Sequence, residues 1–126
     1  MITDGLHPQL IEKVSKVLAA MGALGFPMRI CQGVRTAAEQ QALYAQGRTA
    51  PGHIVTNCDG VKTKSNHQAQ ADGYGHAVDC CFVGADPWTG PFEVYGAAGQ
   101  ALGLRWGGTF SSLPDRPHLE LPPLKG

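Results

Sequence analysis

Two histidines and two aspartates stand in "SNHQAQADGYGHAVDCCF", residues 65–82, and another histidine stands in "PDRPHLEL", residues 114–121. Imidazole and carboxylate groups are what hold a catalytic zinc, which takes three protein ligands and keeps a fourth position open for water. The candidate ligands are His67, Asp79 and His118. Read as a strand, "HAVDCCF" places Ala77, Asp79 and Cys81 on one face and Val78, Cys80 and Phe82 on the other. The small Ala77 leaves room beside Asp79, and the opposite face is apolar. "HLEL" repeats the pattern, with His118 and Glu120 on one face and Leu119 and Leu121 behind them. Two neighbouring strands could then bring a carboxylate and an imidazole to one point. Asp115 precedes His118 on a segment stiffened by Pro114 and Pro117. A rigid carboxylate near an activated water has the chemistry of a general base. Taken singly, each of these residues also fits a hydrogen-bonded structural role; the joint pattern is what points to a metal.

Several elements must position these groups. Pro8 to Met21 carries an apolar stripe of Leu10, Val14, Val17, Leu18 and Met21, which predicts an amphipathic helix that exits at Gly22 and Gly25. "MRICQGV" predicts a short strand. "TAAE", from Thr36 to Glu39, has capping-box spacing and starts a helix through Gln40, Leu43 and Tyr44 to about Gly47. Residues 48–74 lack any period and read as a long loop, a length usually kept for function. "HAVDCCFV" is the central strand, Pro91 to Leu102 a further helix, and "LRWGG" with "HLEL" a closing strand pair. The expected class is α+β: a short antiparallel sheet flanked by helices.

Composition narrows the function. A chain of 126 residues suits a single domain, residues 1–126, with a core of its own. Ten basic and ten acidic residues cancel, and no basic stripe suggests a nucleic-acid surface. The apolar runs are too short for membrane insertion. "MITDGLHPQL" lacks a basic start followed by an apolar stretch, so cytoplasmic synthesis without a signal peptide is expected, as a monomer. The four cysteines form no C-x-x-C pair and are expected to be reduced and buried, Cys58 being the most exposed.

Ser65-Asn66-His67, Gly75-His76-Ala77-Val78-Asp79, Trp106-Gly107-Gly108 and Asp115-Arg116-Pro117-His118-Leu119-Glu120, preceded by "GVRTAAEQQALYAQGRT", together resemble one family. It is that of the zinc D-Ala-D-Ala carboxypeptidases and L-alanyl-D-glutamate endopeptidases, which includes phage endolysins. The resemblance implies the hedgehog/D-Ala-D-Ala peptidase-like fold and a bound zinc ion. It implies His67, Asp79 and His118 as ligands and Asp115 as catalytic base. Arg35 would bind a substrate carboxylate or steady the oxyanion, and Ser65 and Glu120 would contact substrate, Glu120 alternatively supporting His118. The implied substrate is the peptidoglycan stem peptide, and "RT…EQQALYAQG" looks closest to the L-alanyl-D-glutamate endopeptidases. The alternatives are a D-alanyl-D-alanine carboxypeptidase or dipeptidase and a non-catalytic zinc-containing wall-binding module. Such an enzyme acts on the wall after release, for a phage lysin through a holin.

Two departures stand out. His67 and Asp79 are twelve residues apart instead of the family's usual seven, and counting back seven from Asp79 reaches Asp72, a rival ligand. The extra residues in "QAQADG" read as a bulge that keeps His67 as ligand, with His76 pointing away from Asp79. Thr109 stands where many relatives have an acidic residue, which bears on substrate fit. His7, near a helix start, and His53 lie outside the pattern.

Overall fold

The computed structural model describes residues 1–123. Helix α1, Pro8–Ala23, buries Leu10, Val14, Val17 and Met21 along one stripe. Pro8 occupies the first turn, where its missing N–H costs nothing, and His7 caps the helix by accepting the Gln9 N–H at Nδ1, 3.1 Å away. Gly25, at φ +89°, takes the left-handed conformation that turns the chain out of the helix. Helix α2, Ala37–Ala45, starts with the full capping box: Glu39 N–H donates to Thr36 Oγ1 and Thr36 N–H to Glu39 Oε1. Helix α3 is Phe92–Ala101.

Four strands, β1 (Met28–Gln32), β2 (Ala77–Phe82), β3 (Arg105–Trp106) and β4 (His118–Glu120), form one antiparallel sheet in the order β1-β2-β4-β3. Val78, Cys80, Phe82, Leu119 and Leu121 pack with the buried residues of α1 and α3 into one core. Strand β1 is shorter than "MRICQGV". Its register with β2 shifts between Ile30 and Gln32, and Gly33 and Val34 leave the sheet. "LRWGG" likewise contributes only Arg105 and Trp106, because Gly107–Thr109 form a 3-10 turn.

Residues 48–74 hold no helix or strand. They are nevertheless tied down. Gln40, on α2, donates to Thr56 Oγ1 and the Cys58 carbonyl, Gln68 donates to the Gly60 carbonyl, and Asp59 Oδ1 accepts the N–H groups of Val61, Lys62 and Thr63. The polar face of the sheet is therefore covered as well, and Ala77 and Cys81 on that face are as buried as the core.

Candidate metal centre

The register of β2 against β4 sets Asp79 directly opposite His118 and Ala77 opposite Glu120. His67 arrives from the long loop. Its backbone carbonyl accepts the Arg35 N–H at 2.8 Å, and its Nδ1 lies 3.0 Å from the Gly33 carbonyl, so the end of β1 holds the ring in place. The result is a compact triangle. His67 Nε2 is 3.2 Å from His118 Nδ1, and Asp79 Oδ1 is 3.4 Å from the first and 3.5 Å from the second. A tetrahedral zinc site with bonds of about 2.0–2.1 Å has ligand-to-ligand edges of about 3.3–3.4 Å.

Proton placement strengthens the fit. A carbonyl only accepts, so Nδ1 of a neutral His67 carries the proton and Nε2 a lone pair. His118 Nε2 lies 2.7 Å from Glu120 Oε1, which assigns its proton to Nε2 and its lone pair to Nδ1. Two lone pairs and a carboxylate oxygen thus face one another. Asp79 Oδ1 is buried, and neither ring nitrogen is aligned to satisfy it. Three buried acceptors with no donor among them are what a cation relieves. With no cation, a proton fills the role. Burial opposes charge on His118, but the adjacent Asp79 carboxylate and the hydrogen-bonded Glu120 outweigh it and push the pKa up to about 9. Burial likewise opposes the Asp79 carboxylate, yet His118 and His67 hold it well below the usual range.

Around the triangle lies a cleft of about 820 Å³, lined in part by Arg35, Lys64, Asn66, Trp88, Phe110 and Asp115. Asp115 Oδ2 stands 3.9 Å from His118 Nδ1, and its side chain is half exposed. Burial and then the Asp79 charge raise the Asp115 pKa above the ordinary carboxylate value, which makes it a better proton acceptor. The glycine in "WGG" explains how Asp115 is seated: a Cβ on Gly107 would lie 2.1 Å from the Asp115 carbonyl oxygen. The Asp115 N–H donates to the Gly107 carbonyl at 2.8 Å, and the Trp106 indole donates to the Arg116 carbonyl at 2.7 Å. Just before this segment, Leu113 is held at φ +51°, a strained conformation for leucine.

Arg35 is buried beside Asp79. Its Nη1 donates to Gln40 Oε1 at 2.7 Å, its Nη2 donates to Gln32 Oε1 at 2.9 Å, and Asp79 Oδ2 is 3.8 Å away. Neutral amides hold the guanidinium in place without cancelling its charge, and Nε has no partner.

This chain matches known proteins over nearly its whole length. The profile of the D-alanyl-D-alanine carboxypeptidase family matches residues 59–121. The peptidoglycan L-alanyl-D-glutamate endopeptidase CwlK of Bacillus subtilis (strain 168) is 30% identical over 132 residues, covering 97% of this chain and 77% of that protein. The chain belongs to this peptidase family. Solved structures share its fold. The Serratia marcescens L-Ala D-Glu endopeptidase ChiX matches with TM-score 0.59 at 20% identity, over 96% of this chain and 84% of that one. The LD-carboxypeptidase LdcB matches with TM-score 0.68 at 18% identity, over 95% and 67%. The D,D-pentapeptidase VanY, solved in complex with Zn(II), matches with TM-score 0.62 at 16% identity, over 92% and 72%. The expected family and α+β fold are both found.

The structure also sorts the other sequence candidates. Asp72 is not in the triangle. Its Oδ2 accepts from His76 Nε2 at 2.7 Å and faces His7 Nε2 at 3.9 Å, so the inserted residues bulge away from the triangle and His76 with them. Glu120 borders the cleft, but both of its oxygens are engaged: Oε1 is bonded to His118, and Oε2 to Asn66 at 2.7 Å with Arg105 at 3.6 Å. It supports His118. The Ser65 hydroxyl accepts the His67 N–H at 3.2 Å and shapes the ligand loop, while Ser65 also borders the cleft. Thr109, expected to bear on substrate fit, is turned from the cleft and donates to the Trp106 carbonyl at 2.9 Å. All four cysteines are free thiols; Cys31 and Cys58 are both half-buried. Burial pushes the Cys31 and Cys80 thiols up to about 12, which leaves no nucleophilic thiolate at either. Sequence reading missed Gln32, Gln40 and Asn66 as supports. Gln40 left one signal, a polar residue on the inward stripe of α2.

Proposed function

We propose that this chain is a zinc peptidase that hydrolyses the peptidoglycan stem peptide at the L-alanyl–D-glutamate bond. The observation that carries the metal chemistry is the triangle of three buried acceptors, spaced as tetrahedral ligands and opening on a cleft beside Asp115. The similarity to CwlK along nearly the whole chain favours this bond.

His67, Asp79 and His118 would hold the ion. When bound, zinc supplies Lewis acidity, polarising the scissile carbonyl and lowering the pKa of water in the cleft. Asp115 takes the proton of the attacking water and hands it to the leaving amine. Its raised pKa suits both halves of that transfer. Glu120 keeps the His118 proton on Nε2, so that Nδ1 stays free to ligate. Arg35, fixed by Gln32 and Gln40, offers its positive charge to a substrate carboxylate or to the oxyanion. Lys64, on the cleft wall, adds a second cation with no ion-pair partner among the described residues. Stem peptides carry free carboxylates, and this wall complements them. Residues 1–126 would act as one catalytic domain, with the cell wall as the site of action after release.

The test is digestion of purified peptidoglycan by the zinc-loaded protein, with products read by mass spectrometry. The expected products are glycan ending in muramoyl-L-alanine and free peptides beginning with D-glutamate. Release of D-alanine alone would shift the assignment to the D-alanyl-D-alanine carboxypeptidase reading, which the similarity of residues 59–121 to that family favours. Wall binding with no product would leave a non-catalytic module.

A further inference from the structure

The molecule has two tryptophans, and only one is explained by packing. The Trp106 ring lies against Gly96, where a Cβ would come within 2.2 Å, and its indole N–H is bonded to the Arg116 carbonyl. Trp88 is 56% exposed on the wall of the catalytic cleft. Its indole N–H makes no hydrogen bond among the described residues. A large aromatic left open in this way is unusual unless something covers it.

The segment that carries Trp88 is stiff. It leaves the sheet after β2, returns to it through a 2.9 Å bond from the Phe82 N–H to the Pro87 carbonyl, and closes with Thr89 N–H on the Asp86 carbonyl at 3.3 Å. Pro87 and Pro91 fix the backbone on either side. Gly90 packs on the Phe82 ring so closely that a Cβ would lie 2.5 Å from it. The indole is therefore presented from a fixed rim. Gln32 and Gln46 also line the cleft; Gln32 Oε1 is bonded to Arg35 and Gln46 Nε2 to the His53 carbonyl, which leaves the Gln32 amide N–H groups and the Gln46 carbonyl oxygen for a ligand.

Planar aromatic surface in a cleft that also offers amide groups matches a pyranose ring, whose C–H face is apolar and whose edge carries hydroxyl and N-acetyl groups. The stem peptide matches it poorly, because an alanine methyl covers little of an indole. Connectivity agrees with the sugar. In peptidoglycan the L-alanine is joined to the lactyl group of muramic acid, so an enzyme cutting after that alanine meets the sugar one residue from the reacting bond. An enzyme working at the D-alanyl end meets it several residues away. We propose that Trp88 forms a subsite for the N-acetylmuramoyl sugar on the side of the acyl group being transferred to water. This rests on the L-alanyl–D-glutamate reading above.

Two soluble substrates with the same scissile bond test it: the N-acetylated stem peptide, and the same peptide on the GlcNAc-MurNAc disaccharide. With the zinc-loaded full chain, the disaccharide form is expected to have kcat/KM higher by roughly five- to tenfold, the ratio one stacked aromatic face supplies. Trp88→Ala should erase that ratio and leave the free-peptide rate within about twofold, while Trp88→Phe should keep most of it. Equal rates on both substrates in the wild type would overturn the subsite and leave the bond assignment standing. Equal loss on both substrates in Trp88→Ala would also overturn it, making Trp88 a general part of the cleft. Failure to cleave either substrate would overturn the bond assignment and the subsite with it.

Discussion

The chain builds two His-Asp-His groups, each taking one histidine and one aspartate from residues 65–82 and a second histidine from elsewhere, and they differ in what their lone pairs meet. In the group of His7, Asp72 and His76, both carboxylate oxygens have a donor. Asp72 accepts from the His76 ring at 2.7 Å and from the Tyr74 N–H at 2.9 Å, and His7 accepts the Gln9 N–H. The Asp72 side chain is also 30% exposed and shares its charge with water. In the group of His67, Asp79 and His118, acceptors face acceptors in a buried space, and the backbone and Glu120 have already taken the outer ring protons. Residue type is the same in both; the surplus of buried lone pairs is what makes one of them the candidate metal centre.

The largest effect expected is in that contrast. Asp79→Ala should lose both bound zinc and peptidoglycan hydrolysis, while Asp72→Ala keeps both. Metal content by mass spectrometry after dialysis, alongside a wall-turbidity assay, reads this directly. Loss of zinc in Asp72→Ala would mean that the two groups do not differ in metal binding. Next comes Asp115→Ala, which should keep its zinc and lower kcat by about 10²–10⁴-fold, the usual range for a lost general base. Glu120→Ala removes only the group that orients His118, so zinc affinity should fall by roughly 10–100-fold in a competitive chelator titration. If affinity does not change, Glu120 is not what fixes the ring proton.

The smallest effect concerns pH in the metal-free protein. His118 has a folded-state pKa of about 9 against an ordinary value of about 6.5. The folded state therefore binds the proton more tightly. The resulting stability is complete below about pH 6.5 and is lost as pH rises through about 9. Zinc competes for the same nitrogen, so its affinity should rise across that interval. Thermal melts of chelated and zinc-loaded protein from pH 6 to pH 10 should diverge steadily; parallel curves would mean that proton and metal do not share His118.

Much of this was legible in the residues. Alternation in "HAVDCCF" and "HLEL" put Asp79 and His118 on one face with leucine and valine behind, because a period of two is local information. Caps and glycine stops gave the helices for the same reason. What could not be read depends on contacts between distant segments. The clamp of Gln32 and Gln40 on Arg35 needs a strand end and a helix to meet. The path of the five extra residues depended on whether Asp72 would find His76 and His7 on the outside or Asp79 on the inside, and no local rule decides that. The cover over the polar face of the sheet also escaped, since a segment without periodicity gives no hint of what it lies against.

The span between His67 and His118 is 51 residues. An ion joining them, with Asp79 in between, closes that span as a disulfide would, although the four thiols form no bridge. Closing so long a loop restricts the unfolded chain considerably. The contact proposed to activate water would then serve as a removable cross-link, so that a chelator, without breaking a covalent bond, would loosen the domain and silence it in one event.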